Sequence, residues 1–281
     1  MANFLDLFSN PSISKIVIIA AVVGVLVSLC ASLLGVTLVL KRYSMIGDGL
    51  SHVGYGALAI ATALNLSGDY TLEISLPIVV IAAFLLLRLS NRSRINTDSA
   101  IALVSVGAMA IGTIIFSLSG VSAGDACNSL FGSASLITIN EKDMYISIVI
   151  SVLVLAFYVL FYNRIFSVTF DEDFSKASGI NVKFINSALA LLTAVTIVLG
   201  MQLMGAILVS GLIIFPSLTA MRVCRSFKGT VITAALISVI SFIIGFLLAC
   251  ILNLQTGPAV MAVNIVAFII FSVIGNIAKR N

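Results

Sequence analysis

Residues 16–42 read IVIIAAVVGVLVSLCASLLGVTLVLKR, and they decide the fold. No Asp, Glu, Lys, Arg or His stands between Lys15 and Lys41. At a helical rise of about 1.5 Å per residue, such a run is long enough to cross the roughly 30 Å of hydrocarbon in a bilayer. It is apolar on every side, which suits lipid or a deep interior rather than the half-wet surface of a soluble core. The same signal recurs along the chain. Nine candidate spans lie near 14–40, 46–66, 74–89, 99–119, 143–162, 184–200, 205–222, 230–253 and 259–277. The sixth and seventh are divided only by Met201-Gln202-Leu203-Met204, so they form a tight hairpin, or one of them dips into the bilayer and returns. The expected fold class is therefore all-α, a polytopic transmembrane helical bundle of about eight or nine spans. A transmembrane barrel would show alternating segments of ~10 residues, and none are present.

Composition agrees. Of 281 residues, 60% are hydrophobic and 9% are charged, against roughly 25% charged in a soluble domain. Cys30, Cys127, Cys224 and Cys250 are widely spaced, with no CxxC pair, so neither a disulfide framework nor a zinc cluster is indicated. The N-terminal MANFLDLFSNPS lacks the basic region of a cleavable signal. The net charge of +4 matters through its placement. Thirteen of the fifteen Lys and Arg residues follow spans one, three, five, seven and nine, leaving Lys15 and Lys142 elsewhere. Asp6, Asp69, Glu73, Asp125, Glu141 and Asp143 fall on the other side. Because basic residues in short loops collect in the cytoplasm, the N-terminus is expected outside and the C-terminus in the cytoplasm. The bilayer is the implied surroundings and no nucleic acid is implied. No GxxxxGK[ST] loop occurs, so ATP hydrolysis by that route would belong to another subunit. The whole of 1–281 reads as one transmembrane domain, with an inner segment at about 166–182.

Ionisable groups inside spans are costly and mark function. The clear case opens span two, in Gly47-Asp48-Gly49-Leu50-Ser51-His52-Val53-Gly54-Tyr55-Gly56. Asp48 and His52, the only histidine, stand four apart and share a helix face. His52 lies ten residues past Arg42, or roughly 15 Å into the hydrocarbon. A carboxylate and an imidazole can together bind Zn²⁺, Mn²⁺ or Fe²⁺, and two copies about a dimer axis would offer four ligands. An intrahelical ion pair or a proton relay would use the same two residues. The four glycines suit close helix contact, in a dimer or simply within the bundle. Pro216 interrupts span seven and predicts a kink, while Gln202 at the outer turn is a candidate for the pathway. Ser105, Thr113, Ser117 and Asn264 are expected to bond between helices.

The inner segment Phe170-Asp171-Glu172-Asp173-Phe174-Ser175-Lys176-Ala177-Ser178-Gly179 has an acidic start, apolar positions at 170, 174 and 177 and a closing glycine. That pattern predicts a short amphipathic helix at the membrane surface. Its acidic charge runs against the basic inner face, which suits either a docked protein or a solvated connector.

At three stretches the chain resembles the membrane permease subunits of bacterial ABC importers for zinc, manganese or iron, the family called ABC-3. The first runs from Leu38 through Lys41-Arg42 and Gly47-Asp48 to Ser51-His52. The second is Phe170-Asp171 through Ala177-Ser178-Gly179, and the third is Gly200-Met201-Gln202-Leu203-Met204-Gly205-Ala206 to Phe215-Pro216. The resemblance covers essentially the whole chain and implies a type II importer-like permease. It also implies a homodimer or paired permease, two cytoplasmic ATP-binding subunits and an extracytoplasmic metal-binding protein. Asp48 and His52 match the family's intramembrane metal-contact positions, and Phe170, Asp171, Glu172, Phe174, Ala177 and Gly179 match its ATPase-docking segment. The chain departs from the family at Gly49 and Val53-Gly54-Tyr55-Gly56, where many members are alanine-rich with a proline. The expected function is import of a divalent transition metal, zinc first and manganese or iron next, with no permanently bound cofactor and no enzymatic activity of its own. A proton-coupled carrier using Asp48 and His52 as a relay is the alternative.

Overall fold

A computed structural model describes residues 11–64, 71–92, 97–120, 141–252 and 254–278. All regular elements among them are helices: α1 Pro11–Leu40, α2 Met45–Ala63, α3 Thr71–Arg92, α4 Thr97–Leu118, α5 Glu141–Leu160, α6 Tyr162–Phe170, α7 Glu172–Ala177, α8 Val182–Met204, α9 Ala206–Val223, α10 Phe227–Leu252 and α11 Thr256–Ala278. Every one of the nine apolar stretches coincides with a helix. Among the described residues, six helices are long and apolar enough to cross a membrane, namely α1, α4, α8, α9, α10 and α11. The count rises to seven if α5 and α6, bent by 71° at Phe161, form one broken span. Helix α3 carries a shorter apolar part, Ile74–Leu86, and α2 falls outside the six because glycine, serine, Asp48 and His52 dilute its apolar residues.

Helix α1 lies at the centre, with α8, α9 and α10 on its flanks and α5 beside it. Helix α2 packs most extensively on α4, and also touches α3, α8 and α9; α11 closes against α9 and α10. Glycines set the closest approaches. A Cβ at Gly35 of α1 would collide with the backbone carbonyl of Ile213 in α9, and one at Gly245 of α10 with the backbone of Val260 in α11. In lipid, where apolar burial gives helices little reason to associate, such close packing and interhelical polar bonds carry the assembly. Ser238 donates to the carbonyl of Ser28 at 2.8 Å, and Thr37 shares a 3.2 Å bond with Tyr158, joining α1 to α10 and α5.

Three details differ from the sequence expectations. The division between spans six and seven is a single residue, Gly205 at φ 87°, instead of the four-residue stretch 201–204. Glycine reaches that backbone region without the Cβ clash other residues meet. The inner segment holds two helices, α6 and α7, where one was expected. Thr113 donates to Met109 of its own helix and Asn264 to Val260 of its own helix, so neither makes the expected interhelical bond. A hydroxyl or amide in a helix always has the carbonyl one turn back within reach. Helix α9 continues through Pro216 to Val223.

Candidate functional site

Helix α2 is held on three sides by small-residue contacts. A side chain added at Gly47 would press on Ile213 of α9, at Gly49 on Ile101 of α4, at Gly54 on Met201 of α8, and at Gly56 on the backbone of Ala108 in α4. All four glycines therefore serve contacts within the chain. Twelve of the nineteen residues of α2 are buried. Asp48 and His52 occupy the remaining face, their side chains 40% and 21% exposed.

Asp48 stands in the first turn of α2, where the unpaired amides favour a negative charge. Its carboxylate Oδ2 is 3.6 Å from Nε2 of His52. That is proximity without a hydrogen bond, since a usable bond would be nearer ~3 Å. Nδ1 of the imidazole is buried and has no hydrogen-bond partner. A carboxylate and an imidazole are thus brought onto one face, within ion-pair distance and with no hydrogen bond between them. Among the described residues no cluster of three or more His, Cys, Asp or Glu is present. One chain's pair would hold a divalent ion only with further donors, from water or from a second copy. Pro216 is buried in α9, three residues past Ile213, the residue that packs on Gly47. Gln202 lies in the last turn of α8, and its side chain lies outside the described residues. Asp6, Asp69 and Asp125, and the side chains of Glu73, Glu141 and Asp143, all expected on the outer side, also lie outside them.

The acidic segment forms the expected short helix. Asp171 caps α7, its Oδ1 accepting from the backbone N–H groups of Asp173 at 3.0 Å and Phe174 at 2.9 Å. Gly179 comes after it in the left-handed region at φ 81°. Phe174 is 64% exposed and Phe170 61%. Phe170 also rests its ring against Phe166 and Phe227, which anchors α6 to the start of α10. Ala177 and Gly179 are exposed as well. This end of the molecule therefore presents two phenylalanines, Phe170 at the end of α6 and Phe174 on the capped, charged α7.

Glu172 behaves differently from its neighbours. Its Oε1 accepts from Nζ of Lys41 at 2.9 Å and from Nδ2 of Asn186 at 3.0 Å, while Lys41 also donates to Oδ1 of Asn186 at 2.6 Å. Burial pushes the Glu172 carboxyl up, but the bonds from Asn186 and Lys41 outweigh it and hold the group below its ordinary value. Burial lowers Lys41, against the opposing pull of Glu172. Sequence reasoning read Lys41 as a topology marker and as half of the basic pair in the first family stretch, and passed over Asn186. An amide in the first turns of an otherwise apolar helix was the available signal.

The comparisons with known proteins agree with this architecture. A manganese transport system membrane protein of Listeria monocytogenes is 30% identical over 254 residues, covering 89% of this chain and 88% of the relative. A high-affinity zinc uptake system membrane protein of Buchnera aphidicola is 29% identical over 239 residues, covering 85% and 89%. The structure of PsaBC from Streptococcus pneumoniae in complex with a Fab superposes with a TM-score of 0.80 at 24% identity, over 95% of this chain and 94% of that one, which shows a shared fold. The ABC 3 transport family description matches residues 14–275, and the chain belongs to that family.

Proposed function

We propose that this chain is the membrane permease subunit of an ATP-driven importer of a divalent transition metal, with zinc as the first candidate and manganese or iron next. The observation that carries the reading is the Asp48–His52 pair: a carboxylate and an imidazole on one face of a glycine-packed helix, 3.6 Å apart with no hydrogen bond between them and with Nδ1 of the imidazole unpartnered. Relatives of nearly equal length named for manganese and zinc transport support it. The imidazole suits zinc, and the hard carboxylate suits manganese equally well. ATP hydrolysis belongs to a separate subunit.

In this reading nine helices or helix pairs cross the bilayer, α2 and α3 among them, because a span enclosed by other helices need not be apolar. The chain is one permease unit, with its N-terminus outside and its C-terminus in the cytoplasm. Two copies, or a paired permease, bring their Asp48–His52 faces together so that four groups replace water around the ion. An extracytoplasmic binding protein delivers the metal. Phe170, Asp171, Phe174, Ala177 and Gly179 meet the ATPase, with Glu172 holding their helix in place. Pro216 and Gln202 belong to the elements that open and close the path.

The test is uptake of radioactive Zn²⁺ and Mn²⁺ by cells producing the chain with its ATPase, beside Asp48→Ala and His52→Ala at equal expression. Loss of uptake of one metal in both variants, with assembly intact, identifies ligands and substrate together. Full uptake in both variants overturns the ligand assignment.

A further inference from the structure

Between the docking helix and the metal-bearing helix lies a triangle of three polar side chains. Lys41 directly succeeds α1, Glu172 opens α7, and Asn186 stands in the second turn of α8. Each bonds both of the others, at 2.9, 2.6 and 3.0 Å. Lys41 is only 7% exposed. A buried ammonium is costly unless paired, so its bonds hold it firmly. Helix α7, six residues long, cannot hold itself in place and depends on such attachments.

The corner after Lys41 is unusually stiff. The N–H of Tyr43 bonds the carbonyl of Leu38 at 2.8 Å and that of Arg42 bonds Val39 at 3.1 Å, the paired bonds of a Schellman closure. Arg42 occupies the left-handed position, φ 62°, where glycine is usual. The carbonyl of Tyr43 then accepts from the N–H of Ile46 at 3.0 Å, which starts α2. From Lys41 to Asp48 the chain is thus a tight, hydrogen-bonded corner with no slack. Beside it is a small cavity of about 30 Å³ whose walls include Lys41, Asn186, Ile46 and Leu50. Ile46 and Leu50 flank Asp48, so the first turns of α2 have unfilled space on the side facing the triangle.

We infer that Lys41, Glu172 and Asn186 form the transmission link of this transporter, passing displacement of α7 through the α1–α2 corner to the Asp48–His52 face. The three are positioning residues and touch no metal. The inference rests on the permease reading above. A rigid corner next to a void is what such a link needs: a stiff lever, and room for its far end to shift. Without Lys41 the docking helix would still present Phe174 to an ATPase, beside Phe170 at the end of α6, but its movement would no longer be tied to α2.

The test uses the full complex of permease, ATPase and binding protein in proteoliposomes, with Zn²⁺ and Mn²⁺ as probes. Ions moved and ATP hydrolysed are measured together for wild type, Lys41→Gln and Asn186→Ala. The expected result is that ATP hydrolysis stays within about twofold while ions moved per ATP fall about tenfold in Lys41→Gln and less in Asn186→Ala, in the range of ordinary coupling between sites. Partial recovery of the ratio in the exchanged pair Lys41→Glu with Glu172→Lys would support the link and exclude a folding effect. An unchanged ratio in both single variants, or transport and hydrolysis falling in parallel with loss of assembled complex and no recovery in the exchanged pair, overturns it. Wild-type complex that hydrolyses ATP without moving either ion instead overturns the metal-importer reading, so the two failures are distinct.

Discussion

Helices α2 and α4 lie against each other for most of their length, yet they are built on opposite rules. Helix α4 is strongly apolar, and only 22% of the most apolar 18 residues within Asp98–Leu118 are buried; Leu103, Val106, Ile111, Ile114 and Leu118 all point away from the protein. Helix α2 is the less apolar of the two, carries the chain's only histidine, and is mostly buried. In water the more buried helix is the more apolar one. In lipid the rule inverts, because the solvent itself is hydrocarbon and the protected interior is where a charge is tolerated. The pair teaches that apolarity here reports contact with lipid, whereas the candidate metal ligands stand on the less apolar of the two helices.

The largest expected effect breaks the comparison at the site. Asp48→Ala or His52→Ala should lower metal uptake to about a hundredth or less, since even groups that only support a metal ligand are worth roughly 10–100-fold. Thr113→Ala on exposed α4 should leave uptake unchanged, its hydroxyl serving only its own helix. Radiometal uptake at matched expression reads both. A charge tests the lipid side next. Ile111→Lys on α4 should cost roughly 2.5–3.5 kcal/mol of insertion, visible as lost membrane-integrated protein in a glycosylation-mapping assay. If Ile111→Lys inserts as well as wild type, α4 does not face lipid.

Glycines sharpen the contrast at smaller scale. A methyl at Gly56 of α2 would meet the Ala108 carbonyl oxygen at 2.9 Å, whereas one at Gly107 of α4 would meet nothing within 4 Å. Gly56→Ala should therefore lower stability in detergent by roughly 1–3 kcal/mol, and Gly107→Ala should change it by less than about 0.5 kcal/mol. Thermal unfolding followed by a thiol-reactive dye separates the two. The smallest effect concerns pH at the α7 end. Glu172 has its folded value lowered, so its attachment of α7 is present above the ordinary glutamate range and is lost only as pH falls through that lowered value. A fluorophore at Phe174→Cys should report an undisturbed α7 down to ordinary glutamate pH, with release at higher pH in Asn186→Ala. Release of wild type above the glutamate range would contradict the triangle.

Much of this was legible in the chain. Nine apolar stretches marked nine helical regions because lipid forces every backbone polar group into internal bonds, and helices are the way a single run of residues achieves that. Asp48 and His52 stood out because their type is rare inside such runs and their spacing is one helical turn. The capped helix at 171–177 was visible in its acidic start and closing glycine. The bend at Phe161 was not, since apolar residues continue across it without a proline or glycine to mark it. The reach of Thr113 and Asn264 to their own carbonyls was equally hidden, since composition does not say which of two available acceptors a side chain takes.

By itself, then, the sequence determined the solvent of this protein, the positions of its nine long apolar stretches and the identity of its candidate ligands, because those depend on residue type and local period. Only the tertiary structure decided that Glu172 turns back to Lys41 and Asn186 instead of joining Phe174 on the exposed surface, and that each glycine of α2 meets its own chain. Those facts depend on which residues 131 and 145 positions apart come within hydrogen-bond reach. No local pattern encodes such a distance; the packing of α1 against α8 does.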